Sequence, residues 1–256
     1  MTDIAHIFIG STPHGQDTEF QMALEYSIKK HSSIPVMIYW MIANDDPESP
    51  WSGWDRSQWY TPFTGFRWAI PHVANKMGLE EAIFMDHDFI IQHDIAHLWN
   101  QEFEPGKVLM GKGNSTGRFC IMKMNVKEIL DYLPSLESMK KIPDASNICT
   151  SYFSGHFDKI CQKFKGTWNA VDGEGLNHED IYGYHFSDVR TQPHLKMAIA
   201  RMEKQGITHW AKISEPKLNP KDADKADGTK LFYKYYNEAL EASKGNILRD
   251  LTHDFG

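Results

Sequence analysis

The most constraining feature of the sequence is an apolar run that ends in two acids. Residues 82–85 (Ala-Ile-Phe-Met) are followed directly by Asp86, His87 and Asp88. Four apolar residues without alternation are typical of a strand buried on both faces, as in a parallel sheet covered by helices. Because alternate side chains of a strand share a face, the two aspartates are expected to point the same way. Ligand crevices of open α/β sheets lie at the carboxyl ends of strands, so the pair predicts a binding site.

The two carboxylates are candidate metal ligands. A divalent cation would relieve their mutual repulsion, and hard carboxylate oxygens suit Mg²⁺ or Mn²⁺. His185, in the polar and aromatic residues 182–190, is the candidate third ligand and favours Mn²⁺. The alternatives are two solvated acids that begin a loop and a structural, hydrogen-bonded histidine. Arg67, before the acidic strand, is either a solvated residue or a partner of the acids that holds a phosphate.

The order of the other segments favours an α/β fold. Residues 4–10 predict a strand, a helix is expected from Asp17 or Thr18, and residues 35–41 predict a second strand. Strand, helix and strand in this order favour a parallel sheet. The remaining predicted elements are a loop at 44–60, helices at 63–77, 126–133, 145–164 and 231–243, a strand at 119–125 and an exposed linker at 221–230.

Composition narrows the class of protein. The chain has 256 residues, 41% of them hydrophobic, which suits one large α/β domain or a core domain with an appendage. A formal net charge of −7 argues against nucleic acid as the main partner. Three widely spaced cysteines indicate reduced thiols. With no signal peptide and no apolar run of about 18 residues, we expect a cytoplasmic protein without a transmembrane segment.

A histidine pair and the tryptophans each allow two interpretations. His93 and His97 are spaced like the histidines of a zinc metalloprotease, but Asp94 stands where that motif has glutamate. The tryptophans could stack on sugar rings or pack in the core, and for each one core packing is the simpler interpretation. They are Trp51, Trp54, Trp59 and Trp168.

Taken in order, these parts resemble a glycosyltransferase of the GT-A fold, closest to family 8, which includes glycogenin and bacterial lipopolysaccharide galactosyltransferases. The resemblance extends from about residue 5 to about residue 195. No single motif is specific, and the shared order carries the resemblance. The matching segments are Ile7-Phe8-Ile9-Gly10, Arg67, Ile83–Asp88, Asp94–Trp99, Met122–Asn125, Trp168-Asn169 and His185.

The resemblance implies a mostly parallel, Rossmann-like central sheet flanked by helices. Residues 1–215 would form the catalytic domain, and residues 216–256 a charged linker and a C-terminal helix. The implied activity is transfer of a sugar from a nucleotide-diphosphate donor, usually UDP-linked, to a glycan or other acceptor with retention of configuration. A Mn²⁺ or Mg²⁺ ion would bridge the diphosphate.

The resemblance also assigns site residues. Asp86, Asp88 and His185 would bind the metal, with Arg67 and Asp88 as catalytic groups. The nucleotide would contact Ile9, Gly10, Ser11, Arg67, Met85, Asp86, His87 and Arg190. Trp168, Asn169 and Asp144 are the acceptor or sugar-binding candidates.

The chain departs from the family pattern after His185. The family has a glycine three residues on and then Lys-Pro-Trp, whereas this chain has Asp188 and then Thr191-Gln192-Pro193-His194. Arg190 is the nearest basic residue that could replace the lysine. Two alternatives therefore stand beside the transferase: a sugar- or nucleotide-binding member of the fold without turnover, and a zinc hydrolase that uses His93 and His97.

Overall fold

The chain begins with strand, helix and strand, as the sequence predicts. The computed structural model describes residues 4–112, 119–145, 157–211 and 223–244. The described strands are β1 (Ala5–Ser11), β2 (Val36–Ile42), β3 (Glu81–Asp86), β4 (Phe89–Ile91), β5 (Leu109–Gly111), β6 (Ile121–Asn125), β7 (Cys161–Lys163), β8 (Ala170–Val171) and β9 (Gly183–His185). The described α-helices are α1 (Thr18–His31), α2 (Ile70–Lys76), α3 (Ala96–Trp99), α4 (Val126–Ile129), α5 (Leu136–Met139), α6 (Phe157–Ile160), α7 (Leu195–Lys204) and α8 (Ala223–Lys244).

The strands form two sheets. Six strands pair in the order β2-β1-β3-β6-β5-β7. In this sheet β1 runs parallel to β2 and β3, β7 runs parallel to β5, and β6 is antiparallel to both of its neighbours. A smaller sheet has the order β4-β9-β8. Asp86 is the last residue of β3 and Phe89 the first of β4, so the acidic pair marks the point where the chain passes between the two sheets.

The central strands are buried on both faces, which explains the unbroken apolar run. Phe8 and Phe84 belong to one hydrophobic cluster, whereas Ile9 and Met85 belong to another. The second cluster includes Leu24 of α1. Because alternate side chains enter different clusters, each face of β1 and β3 must be apolar. The fold is therefore an α/β fold with a mostly parallel central sheet flanked by helices, as expected.

The C-terminal helix packs against the N-terminal one. The ring centroid of Phe232 in α8 lies 4.8 Å from that of Phe20 in α1. Tyr235 in α8 is hydrogen bonded to His31 in α1 at 2.6 Å between oxygen and nitrogen. Gly228 permits close contact with β9, since a Cβ at this position would lie 2.7 Å from the Tyr184 ring. Helix α8 thus covers part of the smaller sheet.

Several sequence-based boundaries are wrong. The predicted helix 63–77 is divided into a 3₁₀ helix at Thr64–Trp68 and α2, and the predicted helix 126–133 ends early as α4. The predicted helix 145–164 ends in strand β7, and its residues 146–156 lie outside the described residues. Helix α8 begins at Ala223, inside the predicted linker, and α7 was not predicted.

Two other sequence-based expectations bear on the described residues. No disulfide joins Cys120 to Cys161, and Cys149 lies outside the described residues. Within the described ranges, no helix has both the length and the apolar character needed to cross a membrane.

A buried lysine anchors the outer part of the central sheet. Lys123 in β6 is 2% exposed, and its Nζ donates to the carbonyls of Trp99 at 2.6 Å and Gln101 at 2.8 Å. The same Nζ lies 2.6 Å from Oε2 of Glu81. Three acceptors compensate for the desolvation of the ammonium group, so the lysine fastens the segment after α3 to β6.

We expect Lys123→Met to lower the free energy of unfolding by about 2–3 kcal/mol, because it leaves two carbonyls and a carboxylate without their donor. Urea titration followed by circular dichroism measures the change. Lys127→Met on the exposed face of α4 is the matched control and should change stability by about 0.5 kcal/mol or less. Equal losses in the two variants would contradict the anchoring role.

Candidate metal and donor site

Arg67 and Asp86 form the base of the candidate site. Nη2 of Arg67 lies 3.0 Å from Oδ1 of Asp86. The rest of the guanidinium donates to the carbonyls of Thr64 at 2.9 Å and Phe119 at 2.7 Å. These bonds hold the planar group in one orientation beside a carboxylate that is 8% exposed. The sequence placed Arg67 near the acids, and the structure brings it against Asp86.

His185 lies beside both aspartates. Its Nε2 is 3.5 Å from Oδ1 of Asp88, and its ring stacks on Phe89 with centroids 4.4 Å apart. Nδ1 of His185 lies 3.2 Å from Oδ1 of Asn169. Because an amide oxygen only accepts hydrogen bonds, Nδ1 carries a proton, and in the neutral ring Nε2 keeps its lone pair for a metal. The ring is therefore oriented and in the tautomer that a metal ligand needs.

Gln192 holds the second aspartate. Its Nε2 donates to Oδ2 of Asp88 at 2.8 Å and to the carbonyl of Phe186 at 2.8 Å. The other carboxylate oxygen, Oδ1 of Asp88, is buried and makes no hydrogen bond with any described residue. One oxygen is thus fixed while the other is left for a cation. The sequence alone does not indicate this role, although Gln192 lies within the segment that departs from the family pattern.

Cys120 is a second group that sequence analysis missed. Ligand atoms of Asp86, Cys120 and His185 all lie within 4.8 Å of one another. The residue precedes β6, and its carbonyl accepts the backbone N–H of Asp86 at 2.8 Å. Burial, reinforced by the charge of Asp86, raises the pKa of the Cys120 thiol well above its usual value. Only the pairing of β3 with β6 reveals this proximity.

The charges in the site depend on one another. Burial raises the pKa of Asp86; Arg67 opposes this shift and Asp88 adds to it. Burial alone would raise the pKa of Asp88, but the charge of His185 holds that pKa below its usual value. Burial alone would lower the pKa of His185, but Asp88 raises it above its usual value. Asp86, Asp88 and His185 are therefore electrostatically coupled. The ligand atoms that lie within 4.8 Å of one another belong to Asp86, Cys120 and His185, and Asp88 lies 3.5 Å from His185.

The predicted nucleotide contacts are covered in this structure. Ile9 and Ser11 are fully buried, and a Cβ built on Gly10 would overlap the ring of Phe63. Met85 is fully buried as well. A nucleoside could reach the backbone of Gly10 only if Phe63 moved.

Two predicted nucleotide contacts point elsewhere. The side chain of His87 is 1% exposed and faces Asp17, so it presents no surface to a nucleotide. Arg190 is exposed, and its Nε donates to Oδ1 of Asp188 at 3.3 Å. Lys225 of α8 is a second basic residue here: its Nζ donates to Oδ2 of Asp188 at 3.1 Å and lies 3.9 Å from Oδ2 of Asp172, just after β8.

The predicted sugar contacts take structural positions. Trp168 is fully buried, and its indole donates to the carbonyl of Lys165 at 3.1 Å, so its ring cannot stack on a sugar in this structure. Asn169 is 3% exposed and orients His185. Asp144 is half-buried in the loop after α5, and its sugar-binding role stays a prediction. Trp51 and Trp54 also pack in the core, where each ring contacts Phe66.

The histidine pair that suggested a hydrolase lies near the surface. The Nδ1 atoms of His93 and His97 are 3.0 Å apart, and His93 stacks on Tyr182 with centroids 3.8 Å apart. Oδ1 of Asp94 accepts the backbone N–H of Ala96 at 3.0 Å and so caps the start of α3. Among the described residues, no third histidine, cysteine or carboxylate completes a metal-binding group with the pair.

Comparisons with known proteins support the fold. No protein-family model matches the sequence, and no curated protein matches it. Among solved structures, the bifunctional glycosyltransferase WbbM has a TM-score of 0.52 at 11% identity, over 82% of this chain and 51% of that chain. GlyE of Streptococcus pneumoniae TIGR4 has a TM-score of 0.55 at 12% identity, over 98% of this chain and 65% of that chain. The galactosyltransferase LgtC has a TM-score of 0.54 at 8% identity, over 91% of this chain and 95% of that chain.

These comparisons establish the fold alone. This chain spans about half the length of WbbM and 65% of GlyE, but nearly all of LgtC. The chain has the GT-A fold. Membership of family 8 stays a prediction.

We expect Gln192→Leu to weaken divalent metal binding by about 10–100-fold, because Asp88 loses the group that orients it. Isothermal titration calorimetry with MnCl₂ measures the affinity. Gln205→Leu, on an exposed residue after α7, is the matched control and should bind as the wild type does. Unchanged affinity in the Gln192 variant would contradict its positioning role.

Proposed function

We propose that this protein is a metal-dependent glycosyltransferase that uses a nucleotide-diphosphate sugar, UDP-linked, as donor and a glycan or other molecule as acceptor. The observation that carries the proposal is that His185 lies close to both Asp86 and Asp88. His185 keeps its Nε2 lone pair because Asn169 holds Nδ1, and Oδ1 of Asp88 has no hydrogen bond with any described residue. Donor atoms with these properties suit a divalent cation at the carboxyl end of β3.

The GT-A fold supports the choice of reaction. LgtC, whose fold is similar, was crystallised with donor and acceptor sugar analogues. In this chain the equivalent chemistry would take place where the two sheets meet. The proposed donor is a diphosphate because a pyrophosphate offers oxygens to a cation that two carboxylates already bind.

The chain's own residues would prepare the site for the donor. A bound Mn²⁺ or Mg²⁺ would neutralise charge that develops on the leaving diphosphate. Arg67 holds Asp86, whereas Gln192 and His185 hold Asp88. We propose retention of configuration, with the acceptor's proton passing to the leaving phosphate oxygen, so we assign no protein nucleophile. The acceptor and the transferred sugar would contact the loops around β8 and β9.

One observation favours a second candidate, a sugar- or nucleotide-binding protein without turnover. The ring of Phe63 occupies the space beside Gly10 that the resemblance assigns to the nucleoside. The Phe63 ring would therefore have to move before a nucleotide-sugar donor could bind as proposed. Calorimetry with UDP separates the candidates, since the transferase should bind UDP only when Mn²⁺ is present, whereas metal-independent binding without donor hydrolysis favours the second candidate.

We expect Asp88→Asn to abolish Mn²⁺-dependent donor hydrolysis while the fold is retained. The amide lacks the charge that a divalent cation requires, and hydrolysis of a panel of nucleotide sugars measures the loss. Asp131→Asn on an exposed residue is the matched control and should retain wild-type activity. Wild-type hydrolysis by the Asp88 variant would overturn the assignment of the metal site.

Metal binding should strengthen as the pH rises. The pKa of His185 is raised above its usual value, so the ring is protonated at slightly acidic pH, and a cation must displace that proton. We expect the affinity for Mn²⁺ to increase at least about tenfold between pH 6 and pH 8. His185→Asn should bind weakly and lose most of this dependence, and an equal pH dependence in both proteins would contradict the role of His185.

A further inference from the structure

A second group of ligating side chains surrounds Asp17, at the start of α1. Asp17 is fully buried. Nε2 of His194 lies 2.6 Å and Nε2 of His209 3.3 Å from its Oδ1, and Nε2 of His87 lies 3.4 Å from its Oδ2. All three histidines are at most 4% exposed. Three imidazoles from separate segments thus direct the same nitrogen at one carboxylate.

Hydrogen bonding explains only part of this arrangement. His194 is hydrogen bonded to Oδ1 of Asp17 at 2.6 Å, and the indole of Trp210 donates to Oδ2 at 2.7 Å. A carboxylate can accept further hydrogen bonds, but the other two histidines do not complete them. His87 makes no hydrogen bond through either ring nitrogen, and neither does Nε2 of His209, with any described residue. Unpartnered buried nitrogens are costly, so two additional imidazoles at this carboxylate need another explanation.

We propose that Asp17, His194 and His209 bind a Zn²⁺ ion, and that His87, which lies beside the same carboxylate, turns to become the fourth ligand. Ligand atoms of the first three residues lie within 4.8 Å of one another. Tetrahedral zinc with nitrogen and oxygen ligands separates neighbouring ligand atoms by about 3.3 Å, given bonds of about 2.0–2.1 Å. The separation of 3.3 Å from Oδ1 of Asp17 to His209 matches this value, whereas His87 lies 3.4 Å from the other oxygen, Oδ2, and would have to move to coordinate the ion. His194 would move away by less than 1 Å, exchanging a hydrogen bond for a metal bond.

Zinc binding also changes the proton positions. Nδ1 of His209 accepts the backbone N–H of Ala211 at 3.2 Å, so in the neutral metal-free ring the proton is on Nε2. Coordination through Nε2 transfers that proton to Nδ1 and breaks the contact with Ala211. Zinc binding by His194 would break no such contact, because its Nδ1 has no hydrogen-bond partner among the described residues.

The site is structural because its ligands are buried and closed to solvent. It connects the start of α1 and the segment 194–211 to His87, the residue between the two aspartates of the proposed transferase site. The two sites use different ligands, so this inference does not rest on the proposed function. Their chemistry also differs, since Cys120 lies in the first group and no cysteine belongs to the second.

Metal analysis of the full chain tests the inference. The double variant Asp88→Asn/His185→Asn removes ligands of the first site only. After dialysis against buffer with trace zinc, mass spectrometry of the metal content should find one zinc per chain in this double variant. Addition of His194→Gln and His209→Gln should remove that zinc. A double variant without zinc, or zinc retained by the quadruple variant, would overturn the proposal.

The histidine variants could fail to fold. Absorption spectroscopy on the double variant, which keeps Asp17 and its three histidines, avoids this problem. Co²⁺ added to the zinc-free double variant should give the intense d–d absorption of tetrahedral coordination, without a sulfur-to-cobalt charge-transfer band. Zn²⁺ should abolish this spectrum at one equivalent and raise the melting temperature relative to chelator. A charge-transfer band would place the ion at Cys120, and the weak spectrum of six-coordinate cobalt would mean surface binding; either result contradicts the proposal.

Discussion

Two carboxylates are held close together in the interior of this protein, at the point where the chain leaves the central sheet for the smaller one. Their repulsion must be compensated, and each aspartate has its own partner. Arg67 lies 3.0 Å from Asp86, while His185 and Gln192 contact Asp88. Removing a partner from a buried charge typically costs several kcal/mol, so the neighbouring elements are constrained to keep these groups in place.

The architecture follows from that constraint. The 3₁₀ helix that precedes α2 carries Arg67, β3 delivers Asp86, and β9 delivers His185 from the smaller sheet. The antiparallel pairing of β4 with β9 sets His185 opposite Phe89. Asn169 and Gln192 then orient the ligands from outside, as second-layer groups commonly do at metal sites. The site therefore depends on contacts between distant segments and not on the acidic motif alone.

The sequence predicted the parts of the fold that have a strong periodic or apolar pattern. Strands β1, β2 and β3 and helix α1 were predicted because their burial leaves a continuous apolar or helical pattern. The segment that contains β7 was predicted as helix because three residues carry no distinguishing period. The linker at 221–230 was predicted from its charge, but Gly228 and its neighbours form helix because α8 packs on Tyr184.

The candidate site was also predicted only in part. The acids and Arg67 were found from local sequence, and His185 from its surroundings and the family resemblance. Cys120 and Gln192 were not, because their proximity arises from strand pairing and from a loop that the sequence alone does not position. Trp168 has a strongly apolar side chain, and its full burial follows from the tertiary packing around it.

Anomalous diffraction from crystals grown with Mn²⁺ and UDP would locate the metal. We expect a manganese peak within bonding distance of Nε2 of His185 and of carboxylate oxygens from Asp86 and Asp88, with the diphosphate on its open side. Manganese found only at the protein surface, with the aspartates and His185 uncoordinated and UDP bound elsewhere or not at all, would contradict this expectation.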